Sequence, residues 1–204
     1  MSERQAQLLL TDASPLFSFA AIDQLDLMFG AGLPIVLTDY IEWEATRSSS
    51  VTAIRISDWL GRNKPFVSIV ETETGQARIK KEKEGRSDPR KNIGEQTIFE
   101  AISSEYIGEG PYVFLYEDEK AIAQVGPDFF GRYPVHRLTT YAYLVGLERS
   151  GVIPSADEVL DWIRGIGEPS YTFDLGVHPR PGLKKVAVDL PHRSRDGTDT
   201  KWRP

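Results

Sequence analysis

Short apolar runs alternate with helix-start signals over about the first 45 residues, and this alternation restricts the fold more than any other feature. Leu8-Leu9-Leu10 is typical of a short buried strand, and Ser14-Pro15 predicts a helix start, with Ser14 as the N-cap and Pro15 in the first helical position. Pro34-Ile35-Val36-Leu37 predicts a second strand, and Thr38-Asp39 predicts a second helix start. A βαβα pattern of this kind favours a parallel sheet.

The same signals predict the remaining elements. Apolar residues at helical spacing indicate a helix from Leu16 to Phe29, which ends at Gly30. The other predicted elements, in chain order, are a helix over 48–60 with Ile54, Trp59 and Leu60 on its apolar side, a strand over 66–70, a mobile loop over 72–92, a helix from 93, a strand over 112–116, a short helix over 120–125, a last strand from 134, and helices over 140–150 and from 155 to near 165. We therefore expect an α/β domain with a central, mainly parallel sheet.

Composition excludes several kinds of chemistry. The chain has no cysteine, so disulfides, thiolate metal sites and cysteine nucleophiles are excluded, and its three histidines make a histidine-rich zinc site a poor candidate. No apolar run approaches the roughly 18 residues that span a bilayer, and no secretory signal pattern precedes the first strand. We expect a cytoplasmic protein without membrane contact, in which any metal is a hard cation held by carboxylates.

Charge is distributed unevenly along the chain. The formal net charge is −6, yet residues 78–91 and 176–204 each carry seven basic residues against three acidic ones. An acidic body with two basic segments suits a protein that concentrates cations in one place and meets a polyanion in another. The alternative is that the basic segments are only solvated loops. The basic residues of the first segment that we select as candidate contacts are Lys80, Lys81, Lys83, Arg86 and Arg90.

Acidic residues recur where strands end or helices begin. Asp12 follows the first predicted strand, Glu44 lies in the first turns of the second helix with Glu42 nearby, Glu95 opens a later helix, and Asp118 follows the strand over 112–116 beside Glu117. Ligands of open α/β sheets bind outside the carboxyl ends of the strands, and acids gathered there repel one another unless a cation neutralises them. Each acid also has a structural explanation, because Asp is common in turns and caps and Glu favours helix N-termini.

The motifs Asp12-Ala13-Ser14-Pro15-Leu16, Ile41-x-x-Glu44, Gly94-Glu95 and Leu115-Tyr116-Glu117-Asp118-x-x-Ala121 together resemble a PIN domain, most closely the subgroup whose first strand leads into D-A-S-P-L. The resemblance covers roughly residues 8–164. It implies a three-layer α/β/α fold and an Mg²⁺- or Mn²⁺-dependent endoribonuclease, like the toxins of VapBC-type toxin–antitoxin pairs. It therefore also implies a cognate antitoxin protein as partner, and a homodimer.

The resemblance assigns roles to individual residues. It places catalytic roles on Asp12, Glu44, Glu95 and Asp118, with the metal held by Asp12, Glu95 and Asp118. Thr140 matches the small polar residue that follows the last strand of the family, and Glu117 and Glu42 are additional candidates. The family's paired aspartates are Glu117-Asp118 here, which leaves open which of the two faces the metal.

Domain boundaries and alternative functions complete the prediction. Residues 1–166 would form the nuclease domain, with a basic insertion over about 72–92, and residues 167–204 a Pro- and Arg-rich extension that is either a disordered tail or an ordered arm.

One alternative is a non-catalytic PIN-like module that binds protein or RNA. Another is a phosphatase or phosphotransfer domain, although the haloacid-dehalogenase type requires an aspartate where this chain has Ser14.

Overall fold

Five short apolar segments form one parallel sheet in the computed structural model, which describes residues 6–86, 92–104, 106–108, 110–117 and 132–166. The strands are β1 (Leu8–Thr11), β2 (Ile35–Thr38), β3 (Val67–Val70), β4 (Tyr112–Tyr116) and β5 (Val135–Thr139). Their order across the sheet is β3-β2-β1-β4-β5, and every neighbouring pair is parallel. The predicted α/β class with a parallel sheet is confirmed.

Strand β1 lies in the centre of the sheet and is buried on both faces. Leu9 and Leu10 are fully buried, as are Phe114 and Leu115 on β4, with which β1 is in register. Strands covered on both faces have continuous apolar sequences instead of alternating ones, because each side chain meets a helix whichever way it points. The arrangement is a three-layer α/β/α fold.

The helices that cover the sheet begin and end as follows. They are α1 (Ala13–Ala21), a 3-10 helix (Leu25–Phe29), α2 (Asp39–Thr46), α3 (Val51–Arg62), α4 (Glu73–Lys83), α5 (Ile93–Ser103), α6 (Thr140–Arg149) and α7 (Ala156–Ile163). The predicted N-cap Thr38 before α2 and the helices that became α5, α6 and α7 are confirmed. Within the described residues, none of these helices has both the length and the apolar character that crossing a bilayer would require.

The predicted start and length of the first helix were wrong. Helix α1 starts at Ala13 with Asp12 as its N-cap, so Ser14 and Pro15 already lie inside the helix. The helix stops at Ala21 because Asp23 adopts a left-handed φ of 60°, and the apolar spacing continues only in the 3-10 helix. Arg55 supports this break: its guanidinium donates to the carbonyl oxygens of Ala20 and Ala21, at 2.8 and 3.1 Å.

Helix α3 begins later than predicted. Its N-cap is Ser50, whose hydroxyl accepts a hydrogen bond from the Ala53 amide at 3.2 Å. Trp59 and Leu60 are buried as expected, but the side chain of Ile54 is 52% exposed, because Ala53, Ile56 and Leu60 define the face that packs inward. The helix therefore presents Ile54 to solvent.

The predicted mobile loop over 72–92 was wrong over Glu73–Lys83, which form helix α4, and residues 87–91 lie outside the described residues. The Thr72 hydroxyl caps this helix by accepting from the Gly75 amide at 3.0 Å, and Glu100 of α5 accepts from the amides of Glu73 and Thr74. Few apolar residues contribute to α4, so its sequence carries almost no helical periodicity. Hydrogen bonds to a residue of another helix fix the start of α4, and the local sequence pattern does not show them.

The buried hydroxyl of Tyr143 connects α6 to the 3-10 helix. It lies 2.8 Å from the carbonyl oxygen of Leu27 and 3.0 Å from that of Met28, and it accepts from the Ala31 amide at 3.3 Å. Burial raises the pKa of Tyr143. We expect Tyr143→Phe to lower the free energy of unfolding by about 1–2 kcal/mol, since it leaves buried backbone groups without this partner. Urea denaturation measures this, and a variant as stable as the wild type would contradict it.

Candidate functional site

The direction in which strands are added to the sheet reverses between β1 and β4. It builds β1, β2 and β3 outward to one side, then crosses back so that β4 lies on the other side of β1. Asp12 immediately follows β1, and Glu117 immediately follows β4. Ligands of open α/β sheets bind at such a switch point, because the loops there separate and leave a crevice. The candidate site therefore begins with these two carboxylates.

Asp12 is held in a nearly buried position, with 9% of its surface exposed. The Ser14 hydroxyl lies 3.4 Å from one carboxylate oxygen. Burial raises the pKa of Asp12, and the negative charge of Glu117 adds to that effect, whereas the backbone and hydroxyl of Ser14 and the amide of Ala13 oppose it. A nearby cation would relieve this unfavourable charge.

Glu44 reaches the same place from α2. A Cβ atom placed on Gly94 would lie 2.9 Å from Oδ1 of Asp12 and 3.9 Å from Oε2 of Glu44, so both carboxylates border the first turn of α5. Burial raises the pKa of Glu44, and the charge of Asp12 raises it further, while Arg47 lowers it. The two acids thus repel each other across a glycine that leaves room for them.

Glu117 is positioned by hydroxyl groups from two helices. Its Oε1 accepts a hydrogen bond from Ser18 of α1 at 2.7 Å and another from Thr140, the first residue of α6, at 2.9 Å. Thr140 is buried, which limits its freedom to move. The involvement of Ser18 was not foreseen, since it lies 99 residues from Glu117 in the chain.

The other predicted acidic residues have different positions. Glu95 is buried in the first turn of α5, next to Gly94. The electrostatic neighbours of Glu42 are Asp39 and Lys64; burial first, and then Asp39, raise the pKa of Glu42. Glu44, and not Glu42, therefore interacts with Asp12. Asp118 lies outside the described residues.

The acidic side chains around Asp12 do not form a complete metal site by themselves. Among residues 6–86, 92–104, 106–108, 110–117 and 132–166, no three side chains of the types His, Cys, Asp and Glu form a group that could hold a metal ion. Mg²⁺ commonly takes only one or two protein carboxylates and completes its shell with waters and phosphate oxygens. Asp12 is buried, Glu44 is half-buried and Glu117 is exposed. Carboxylate oxygens that repel one another in this way are donors that fit such a hard cation.

The predicted basic contacts lie at the C-terminal end of α4. Lys80 and Lys83 are exposed, Lys81 is half-buried, and Arg86 pairs with Glu84 at 2.9 Å. A helix, instead of the expected mobile loop, therefore presents the three lysines, and Arg86 follows its end. Lys80 and Lys83 also border a surface depression of about 320 Å³ with Gln76, Ile79 and Glu84. Arg90 lies outside the described residues.

A second buried aspartate, Asp39, was not predicted as part of any site. It follows β2 as Asp12 follows β1, and it accepts hydrogen bonds from the Thr72 amide (3.2 Å) and hydroxyl (2.8 Å) and from the Gln76 side chain (2.8 Å). Burial raises its pKa in spite of these donors. With this partner set, Asp39 fastens α4 to the sheet, and its place directly after a strand was the available signal.

Asp12, Glu44 and Glu117 thus come from three separate segments, and Asp12 interacts with the charges of both glutamates. A carboxylate in this place can hold a cation that takes its other ligands from water and phosphate oxygens. Compared with family models, curated proteins and solved structures, the chain has no match in any of the three.

Proposed function

We propose that the protein is a divalent-metal-dependent endoribonuclease. The observation that carries the proposal is the convergence of Asp12, Glu44 and Glu117 on the switch point of the sheet. Further support comes from the resemblance of the motifs around these residues to PIN domains. The same resemblance extends the proposal to a toxin that a protein antitoxin restrains, and to a homodimer.

In this proposal, Asp12 is the main ligand of an Mg²⁺ or Mn²⁺ ion. Its burial and the Ser14 hydroxyl beside it limit its freedom to reorient, and the charges of Glu44 and Glu117 act on it. When bound, the ion would acidify a water molecule and stabilise negative charge on the phosphodiester. Glu95 and Asp118 remain proposed ligands on the strength of the resemblance.

The protein's own groups prepare the site for that ion. The hydroxyls of Ser18 and Thr140 orient the carboxylate of Glu117, so that it can orient a water molecule by accepting a hydrogen bond. Glu44 lies next to Gly94, as does Asp12. Neither role requires a histidine, cysteine or serine nucleophile, and the chain has no cysteine.

Two glutamates on one helix provide the test. Glu44 and Glu42 both lie half-buried on α2, and burial raises the pKa of both, but only Glu44 has Asp12 as an electrostatic neighbour. We expect Glu44→Gln to slow Mn²⁺-stimulated cleavage of single-stranded RNA roughly tenfold. Glu42→Gln is the matched control and should retain wild-type activity. Equal activity of the two variants would contradict the assignment of Glu44.

The wild-type protein also distinguishes the proposal from a non-catalytic binding module. A ribonuclease should cleave RNA with Mn²⁺ and stop when EDTA is added, whereas a binding module would retain RNA without cleaving it. Calorimetry should detect Mn²⁺ binding to the wild type in the first case. RNA that stays intact under all metal conditions would overturn the proposed activity.

A further inference from the structure

An arginine stacked on a tryptophan lies beside the acidic site. Arg47 follows the last residue of α2, and its guanidinium carbon is 4.4 Å from the centre of the Trp43 ring. Trp43 packs in turn against Tyr40, with ring centres 5.6 Å apart. Stacking holds the planar guanidinium in one orientation, which reduces the entropy lost when it binds a ligand.

The position of Arg47 relates it to the carboxylates. It is three residues after Glu44, so the two side chains are neighbours on the helix surface. The positive charge of Arg47 lowers the pKa of Glu44, against the effects of burial and of Asp12. An RNA strand that approaches Asp12 and Glu44 is repelled by their charge, and Arg47 is a cation placed where it can offset that repulsion.

The protein partner of Arg47 is one that an anion can replace. Arg47 Nη1 lies 3.1 Å from Oε2 of Glu82, but the arginine side chain is 45% exposed, and exposed ion pairs contribute little to stability. Glu82 is also held by Arg78 at 2.6 Å, and the Arg78 side chain is only 11% exposed. Glu82 therefore keeps a second cationic partner if Arg47 turns to a ligand.

We propose that Arg47, whose guanidinium lies over the Trp43 ring, binds a backbone phosphate of the single-stranded RNA that enters the acidic site. This inference rests on the proposed ribonuclease function and deepens it by naming a residue that positions the substrate. The guanidinium fork matches phosphate oxygens in geometry, and the aromatic support next to it suits a nucleic acid better than an acidic peptide, since bases also stack on aromatic rings.

Binding of a short fluorescent single-stranded RNA of mixed sequence, measured by anisotropy with Ca²⁺ in place of Mg²⁺, tests the proposal. We expect Arg47→Ala to weaken binding roughly tenfold and to reduce the slope of log affinity against log salt by about 0.7, the loss of one phosphate contact. Arg47→Lys should keep the salt slope but bind less tightly than the wild type, because lysine lacks the planar fork.

Two further variants separate a specific contact from general charge. Glu82→Gln removes the competing anion, so RNA binding should tighten. Arg62→Ala removes an exposed arginine at the end of α3 and should leave binding unchanged. Thermal unfolding by circular dichroism should give midpoints similar to the wild type for the Arg47 and Arg62 variants, since the Arg47 pair is exposed.

The outcomes also separate this inference from the proposed function. If the wild type binds RNA and Arg47→Ala binds it equally well, the Arg47 contact is overturned and the ribonuclease proposal stands. If Arg47→Ala and Arg62→Ala weaken binding equally, the effect is one of net charge and the inference is wrong. A wild type that does not bind RNA overturns both. Loss of binding to a polyglutamate peptide, with RNA binding unchanged, would assign Arg47 to a protein partner instead.

Discussion

Asp12→Asn will reduce Mn²⁺-stimulated RNA cleavage by at least about a hundredfold while the fold persists. Asparagine keeps the size of the side chain and is an equally good N-cap residue, so α1 should still begin at Ala13. The substitution removes the negative charge of Asp12, which interacts with the charges of Glu44 and Glu117. The measurement is the cleavage rate of a labelled RNA at saturating Mn²⁺.

The pH dependence of stability gives an independent check on the same carboxylate. The pKa of Asp12 is raised in the folded protein, so between the unfolded and folded pKa values the folded state binds more protons than the unfolded state. Stability is therefore greatest at low pH with respect to this group and falls as pH rises through the folded pKa. Without metal at neutral pH, we expect Asp12→Asn to be at least as stable as the wild type.

Metal binding should reverse this order. An ion that binds only the folded protein raises the melting temperature, so Mn²⁺ should stabilise the wild type and have little effect on Asp12→Asn. Glu42→Gln, which changes a carboxylate that interacts with Asp39 and Lys64, should respond to Mn²⁺ like the wild type. An Asp12→Asn variant that cleaves RNA at the wild-type rate would refute the site.

Gly94→Ala should also reduce activity without a large change in stability. Alanine in the first turn of α5 would ordinarily stabilise a helix by about 0.5–1 kcal/mol relative to glycine. Here its methyl group would lie 2.9 Å from Oδ1 of Asp12, closer than Cβ atoms are found, so the carboxylate must rotate away. We expect the melting temperature to change little and the cleavage rate to fall about a hundredfold, since misplacement by about 1 Å has effects of that size.

Gly146→Ala is the matched control for this substitution. Gly146 also lies within a helix, α6, but a Cβ atom there meets nothing within 4 Å. The variant should gain about 0.5–1 kcal/mol in stability and keep wild-type activity. A Gly94→Ala variant that retains at least half of the wild-type rate would show that the position of the Asp12 carboxylate is unimportant for catalysis.

Where a local pattern forms an element, the sequence alone was sufficient. The apolar runs that became β1, β2, β3 and β4 predicted strands because buried parallel strands need apolar side chains on both faces. Ser155 predicted a helix start because capping depends on residues within one turn, and its hydroxyl accepts from the Glu158 amide. Asp12 was identified because it directly follows the apolar run that became β1. These properties depend on neighbours in the chain, which the sequence displays.

The tertiary structure decided everything that depends on distant partners. Helix α4 is polar and looked like a loop, and its start is held by Asp39, which lies 33 residues earlier, and by Glu100 of α5. Sequence placed Glu42 and Glu44 together, and only packing put Glu44 beside Asp12. Ser18 met Glu117 across 99 residues. Which charges repel, and which donors relieve them, follows from how strands and helices pack in space, because electrostatic and hydrogen-bond energies depend on distance and burial.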